Sequence, residues 1–182
     1  MVLDLSKARL ISNNELSEKI AEHEQKNLKV DQRFKNLLDT DKHRYYTHQI
    51  EEINDFYNLI WCEIRATRIL SNGESRTLRD IANRFIECKL TFEDLVDGTV
   101  EDTSTYKPGW YKKCLPINNG FEYENFGWLA VHDASQKEIN QSPNGKYYIY
   151  DGSHKSLVLA IKLFTGEEEF QPVDVIYIDP KP

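Results

Sequence analysis

The segment KYYIYDGSHKSLVLAIKLF, residues 146–164, constrains the fold more than any other part of the chain. Tyr147, Tyr148, Ile149 and Tyr150 form a β-branched and aromatic run that suits a half-buried strand. Asp151-Gly152-Ser153 reads as a tight polar turn. Leu157, Ala160, Ile161 and Phe164 then recur at three- and four-residue spacing, which predicts an amphipathic helix, and Gly166 is placed to close it. A strand feeding straight into a helix leaves backbone N–H groups free at the helix start. Together with the positive end of the helix dipole, they offer a seat for a phosphate or a carboxylate.

The side chains at the junction add to that seat. Gly152 permits close backbone approach. Ser153 can cap the helix or donate to a phosphate oxygen. His154 and Lys155 supply donors and charge, and Ser156 a further hydroxyl. Asp151 would repel an anion, so its presence fits a magnesium ligand or a base that takes a proton from an attacking hydroxyl. The plainer reading stands beside this one: Asp-Gly is a common turn, and Ser153 an ordinary cap.

Strand, D-G-S-H-K, helix, then a further strand at Val173–Ile178: this order resembles the ParB/sulfiredoxin-like superfamily. Its members carry D-G-x-H-R or G-G-C-H-R at the same junction. The element binds nucleotide phosphates in sulfiredoxins and in the free-serine kinases of that fold. Asp151, Gly152, His154 and Lys155 fall on the element, with Lys155 where the family usually has Arg. Ser153 falls where sulfiredoxins carry their reactive Cys, and a hydroxyl is a poor substitute for a thiolate, which argues against sulfiredoxin chemistry. The likeness spans roughly Gly127 to Asp179. It implies an α+β fold: a ParB/sulfiredoxin-like mixed sheet in the C-terminal half, with a large helical N-terminal part. We therefore expect a helical region over residues 1–100 packed on an α/β core over 101–182, as one compact unit.

The rest of the chain sets limits on partners and compartment. Its 182 residues, 40% hydrophobic and 29% charged, can build one good core. The apolar runs are too short to span a bilayer, and the N-terminus lacks the apolar stretch of a signal peptide, so a cytoplasmic protein without a membrane partner is expected. Three cysteines without zinc-like pairing fit reduced thiols, with Cys62 and Cys88 read as small core residues. A net charge of −7 argues against general nucleic-acid binding. Arg76, Arg79, Arg84 and Lys89 are the densest basic group, offset by Glu74, Asp80 and Glu87.

Taken in order, Ala8–Ile11 suggests a short strand, and Asn13 or Asn14 can cap a helix running to about Asn27. Phe34, Leu37 and Leu38 suggest another short helix. The longest helical pattern is Thr47 to Leu70, through Ile50, Ile53, Tyr57, Ile60, Trp61 and Ile64. Helices are expected from Thr77 to Cys88 and from Thr91 to Val96. Residues 98–126 look irregular yet carry Trp110, Tyr111, Phe121, Tyr123 and Phe126, which either pack the two halves together or line a pocket. Strands are expected at Trp128–Val131 and Phe170–Ile178. If the first lies beside the strand before Asp151, and the directions allow it, His132 and Asp133 could approach Asp151 and complete a metal-assisted phosphoryl-transfer site.

The sequence thus favours a nucleotide-dependent phosphotransferase, kinase-like, acting on a small hydroxyl-bearing molecule such as an amino acid. In it Gly152, Ser153, His154, Lys155 and Ser156 hold the phosphates of ATP or ADP. Asp151, His154 and Asp133 are the catalytic candidates, with Asp151 and Asp133 (or Glu124 as the second carboxylate) on Mg²⁺. Lys155 neutralises developing charge. A ParB-like nucleotide switch, a DNA-associated or nuclease-like protein, and a non-catalytic interaction module are the alternatives, and a homodimer stays open.

Overall fold

The computed structural model describes residues 7–26, 28–38, 42–61, 76–97, 111–133 and 147–181. Among them lie β1 (Arg9–Ile11), α1 (Asn13–Gln25), α2 (Gln32–Leu38), β2 (His43–Ile50), α3 (Ile53–Tyr57), α4 (Leu78–Glu87), α5 (Phe92–Asp97), α6 (Cys114–Asn119), β3 (Trp128–Asp133), β4 (Tyr147–Asp151), α7 (Ser153–Thr165) and β5 (Val173–Pro180). The five strands form one mixed sheet in the order β1-β2-β5-β3-β4. Only β3 and β5 run parallel; the other neighbours are antiparallel.

Both faces of this sheet are covered. Along β5, Val175 and Tyr177 point to one face, and Ile176 and Ile178 to the other, because successive side chains on a strand alternate. On the first face they join Leu129, Val131 and Ile149 beneath α7, α4 and α6, with Leu157, Leu159, Ile161, Leu78, Ile81 and Cys114 buried there. On the second face Leu16, Ile20, Phe34, Tyr45 and Trp128 pack under α1 and α2. Each such side chain, fully buried, contributes roughly 1.5–3 kcal/mol. The double cover explains why 173–178 reads as apolar on both sides.

Several helix ends match their local chemistry. Thr77 starts α4, and its Oγ1 accepts from the Asp80 amide at 3.3 Å. Gly166 closes α7 with φ +75°. At α1 the cap is Ser12 rather than Asn13 or Asn14. Its Oγ accepts from the Glu15 amide at 3.2 Å while the Glu15 carboxylate accepts from the Ser12 amide at 2.9 Å, a reciprocal capping box.

The long helix expected from Thr47 to Leu70 is not what forms. Residues 43–50 are strand β2, whose Tyr45 and Ile50 are buried and which pairs along its whole length with β5. The short α3 follows, and residues 62–75, including Cys62, lie outside the described set. The N-terminal region therefore supplies two of the five strands as well as helices. Cys88 is exposed at the end of α4 rather than in the core, whereas Cys114 is buried. Within the stretch expected to be irregular, α6 and a 3₁₀ turn at Tyr123–Asn125 are helical.

Candidate functional site

The β4–α7 junction forms as the sequence leads one to expect. Gly152 has φ +93° and stands at the N-cap of α7, where it offers no side chain to cap the helix. A Cβ on Gly152 would lie 2.4 Å from Leu129 Cδ2, so this position needs glycine twice over, for space and for backbone. Asp151 ends β4 half-buried, one carboxylate oxygen accepting from the Gly152 amide at 2.8 Å and the other from the Asp31 amide at 3.1 Å. Burial raises its pKa, while the two amides and then Lys155 pull it down, and nearby Asp31 adds to the rise.

Lys155 takes a different part from the one expected of it. Its Nζ donates to the carbonyls of Phe126 and Trp128, both at 2.6 Å, and lies 3.5 Å from His23 Nε2. The ammonium also sits over the Phe126 ring at 5.1 Å. Its donors are thus committed to the backbone on either side of Gly127, and it holds that turn against the start of α7. Gly127 has φ +66°, and a Cβ there would fall 2.2 Å from His23 Cε1. Burial pushes the Lys155 pKa down to about 7, against the pull of Asp151. Burial, then Lys155 and Lys26, hold His23 down at about 3, so this imidazole is neutral at physiological pH.

The junction opens on a cavity of about 790 Å³. Asp151, Gly152, His154 and Lys155 line it, together with Asp31, Lys29, Lys113, Phe121 and Phe126. Lys29 and Lys113 are exposed at its rim and have no carboxylate partner among the described residues. An anion in this space would meet the positive end of the α7 dipole, the two rim lysines and His154.

Other expected members lie elsewhere. Ser156 is fully buried and its hydroxyl donates to the Ser153 carbonyl at 3.1 Å. The same carbonyl accepts from Trp61 Nε1 at 2.9 Å, and the Ser153 side chain does not line the cavity. Glu124 is exposed on the 3₁₀ turn, outside the cavity lining. His132 is buried beside Tyr148, with ring centroids 5.2 Å apart. Asp133 is opposite Tyr147 in the antiparallel β3–β4 pair, while Asp151 is opposite Ala130. Strand direction therefore sets Asp133 and Asp151 about 10–13 Å apart along the ladder, three residues by the count on β3 and four on the bulged β4. They do not fit a shared magnesium ion, and no group of at least three His, Cys, Asp or Glu residues among the described residues is arranged to hold a metal.

The cleft also includes residues that the sequence reading passed over: His23, Lys29, Asp31 and Lys113. Asp31 carried a signal, since it precedes α2 and its carboxylate accepts from the Arg33 amide at 2.8 Å, as a helix-starting Asp does. The three cationic or imidazole residues carried none, because nothing local marks a side chain that will face a cavity made by distant segments.

Fold and site together define a mixed α/β protein with a five-stranded, doubly covered sheet and a polar cleft at a strand-to-helix junction. No protein-family model, curated protein or solved structure matches the chain. No helix among the described residues is long and apolar enough to cross a membrane.

Proposed function

We propose that the cleft binds ATP or ADP and that the protein transfers a phosphoryl group to a small hydroxyl-bearing molecule, within a ParB/sulfiredoxin-like arrangement of the sheet and α7. The observation that carries this reading is the uncapped start of α7 opening on a cavity of about 790 Å³ with Lys29 and Lys113 at its rim. Amides and lysines together suit a polyphosphate, and the volume suits a nucleotide or a nucleotide tail with its acceptor. Phe121, which is only partly buried, offers ring surface for a base.

Asp151 is the base in this scheme. Burial raises its pKa, as suits a group that must take a proton. The substrate oxygen attacks the terminal phosphorus while Asp151 accepts the hydroxyl proton. The bridging P–O bond breaks, and its electron pair leaves on the shortened nucleotide. Lys155 acts as a positioning residue by fixing the Gly127 turn. Magnesium enters only on the nucleotide's own phosphates, since Asp133 is too far from Asp151 to share it.

The test is phosphorus NMR of the protein with ATP, magnesium and a panel of hydroxy amino acids. Appearance of a phosphomonoester, and its loss in Asp151→Asn with an unchanged melting temperature, supports the scheme. Turnover that survives Asp151→Asn overturns the base role. Saturable nucleotide binding without any product points instead to a nucleotide-controlled switch.

A further inference from the structure

Among the described residues Lys29, Lys113 and Lys155 line the main cleft; the first two are exposed, and Lys155 is not. The partners of its Nζ are neutral: the Phe126 and Trp128 carbonyls, each at 2.6 Å, and His23 Nε2 at 3.5 Å. His23 is kept neutral by its own burial, to which Lys155 and Lys26 add. No carboxylate among the described residues forms an ion pair with Nζ, and Asp151 acts on it only through space. The cleft is thus lined by a buried amine that has hydrogen-bond acceptors but no counterion in contact.

A desolvated ammonium is relieved in one of two ways, by losing its proton or by gaining a countercharge. In the free protein the first prevails, and burial takes the Lys155 pKa down to about 7. Charges of both signs stand around it: Lys26 at the end of α1, Lys29 and Asp31 before α2, Lys113 before α6, Glu122 before the 3₁₀ turn and Asp151 on β4. Of these, Asp151 is the one that acts on Lys155. A phosphate group in the cleft brings a new negative charge to the same space. Coulomb attraction across a poorly hydrated wall needs no direct contact, so Nζ keeps both carbonyls while its charge answers the anion.

We propose that binding of a nucleotide phosphate in the cleft loads a proton from solvent onto Lys155, so that the protein holds its ligand more tightly at neutral than at alkaline pH. This regulation rests on the nucleotide reading of the cleft and adds to it a proton that moves with the ligand. Above about pH 7 the free protein holds Lys155 mostly as the neutral amine, whereas the complex keeps the ammonium to a higher pH. Between those limits affinity falls as pH rises, by up to about tenfold per unit. Well below pH 7 Lys155 is protonated with or without ligand, and the effect vanishes. The carbonyls of Phe126 and Trp128 accept from either form, but hydrogen bonds from the ammonium are stronger. The same proton therefore tightens the Gly127 turn beside the cleft.

The test is calorimetric titration with ADP at pH 8, where its phosphates are ionised, in buffers that differ in heat of ionisation. The dependence of the measured heat on the buffer gives the protons taken up per ADP bound. The expected uptake is about half a proton or more, lost in Lys155→Met. Uptake that persists in Lys155→Met belongs to His154 or Asp151 and overturns the proposal. Should that variant not fold, ¹H–¹³C NMR of the lysine ε-CH₂ groups gives the comparison in the unaltered protein. Lys155 is recognised there by ring-current displacement, since its Nζ lies 5.1 Å from the Phe126 ring centroid and 5.9 Å from that of Trp128. Its titration midpoint should rise by about one pH unit or more on saturation with ADP. ADP binding without proton uptake, or with an unmoved midpoint, overturns the proposal and leaves the nucleotide reading in place. Absence of saturable ADP binding overturns both.

Discussion

Replacing Lys155 by methionine separates the two things that this side chain does. Methionine fills much the same space but cannot donate to the Phe126 and Trp128 carbonyls, each now 2.6 Å from Nζ. Leaving two part-buried acceptors without a donor costs about 1–3 kcal/mol apiece, partly offset because an ammonium no longer has to be desolvated. We expect Lys155→Met to be less stable by roughly 2 kcal/mol at pH 7. The pH dependence is the sharper signature. Burial lowers the Lys155 pKa from 10.5 to about 7 in the folded protein. Between those values the unfolded chain holds a proton that the folded protein has released, so stability rises with pH across that window. The slope approaches about 1.4 kcal/mol per pH unit, and the neutral amine still donates to both carbonyls. The gap between wild type and Lys155→Met should therefore widen from pH 7 to pH 9. Urea denaturation at each pH measures it. Parallel stability curves would refute the desolvated environment assigned to Lys155, and a variant more stable than wild type at pH 7 would refute its role as a strap.

Other substitutions probe the surroundings. Gly127→Ala places a methyl 2.2 Å from His23 Cε1 at a position of φ +66°, and should cost about 2–4 kcal/mol by thermal denaturation, the backbone alone accounting for roughly 1–2. His23 stays neutral in the folded protein down to about pH 3, held there by burial and then by Lys155 and Lys26. The unfolded chain takes up that proton near pH 6.5, so this contribution, present at neutral pH, is lost as pH falls from 6.5 towards 3. His23→Gln should flatten the acid limb of the stability curve by up to about 1.4 kcal/mol per pH unit. Ser12→Ala removes the capping box of α1 and should cost about 1 kcal/mol in urea unfolding, with the cleft undisturbed.

The β4–α7 junction was legible because its signals are local: a tyrosine-rich strand, an Asp-Gly turn, a helical apolar spacing and a closing Gly166 lie within one short segment. Thr77 announced α4 in the same way. Strand β2 was masked because Ile50, Ile53, Tyr57 and Ile60 fall at helical spacing although they belong to a strand, a short helix and an isolated bridge in turn. What fixes β2 is pairing with β5, far along the chain, and no window of sequence contains that partner. Asp133 illustrates the same limit at the site. Its position next to a strand end was readable, but the antiparallel course of β3 and β4 that carries it away from Asp151 was not. Lys155 was recognised as the cation of the junction, but its direction depended on the carbonyls around Gly127, which only the folded chain brings to it.

In the proposed function the first turn of α7 receives phosphate from a nucleotide. Titration of ¹⁵N-labelled protein with ADP measures this at the atoms concerned. Saturable shifts of the Gly152, Ser153 and His154 amides are expected, with an affinity about tenfold weaker in Lys29→Ala/Lys113→Ala. Amides of that turn that stay in place at high nucleotide concentration, or binding that shifts only residues outside the cleft, would contradict it.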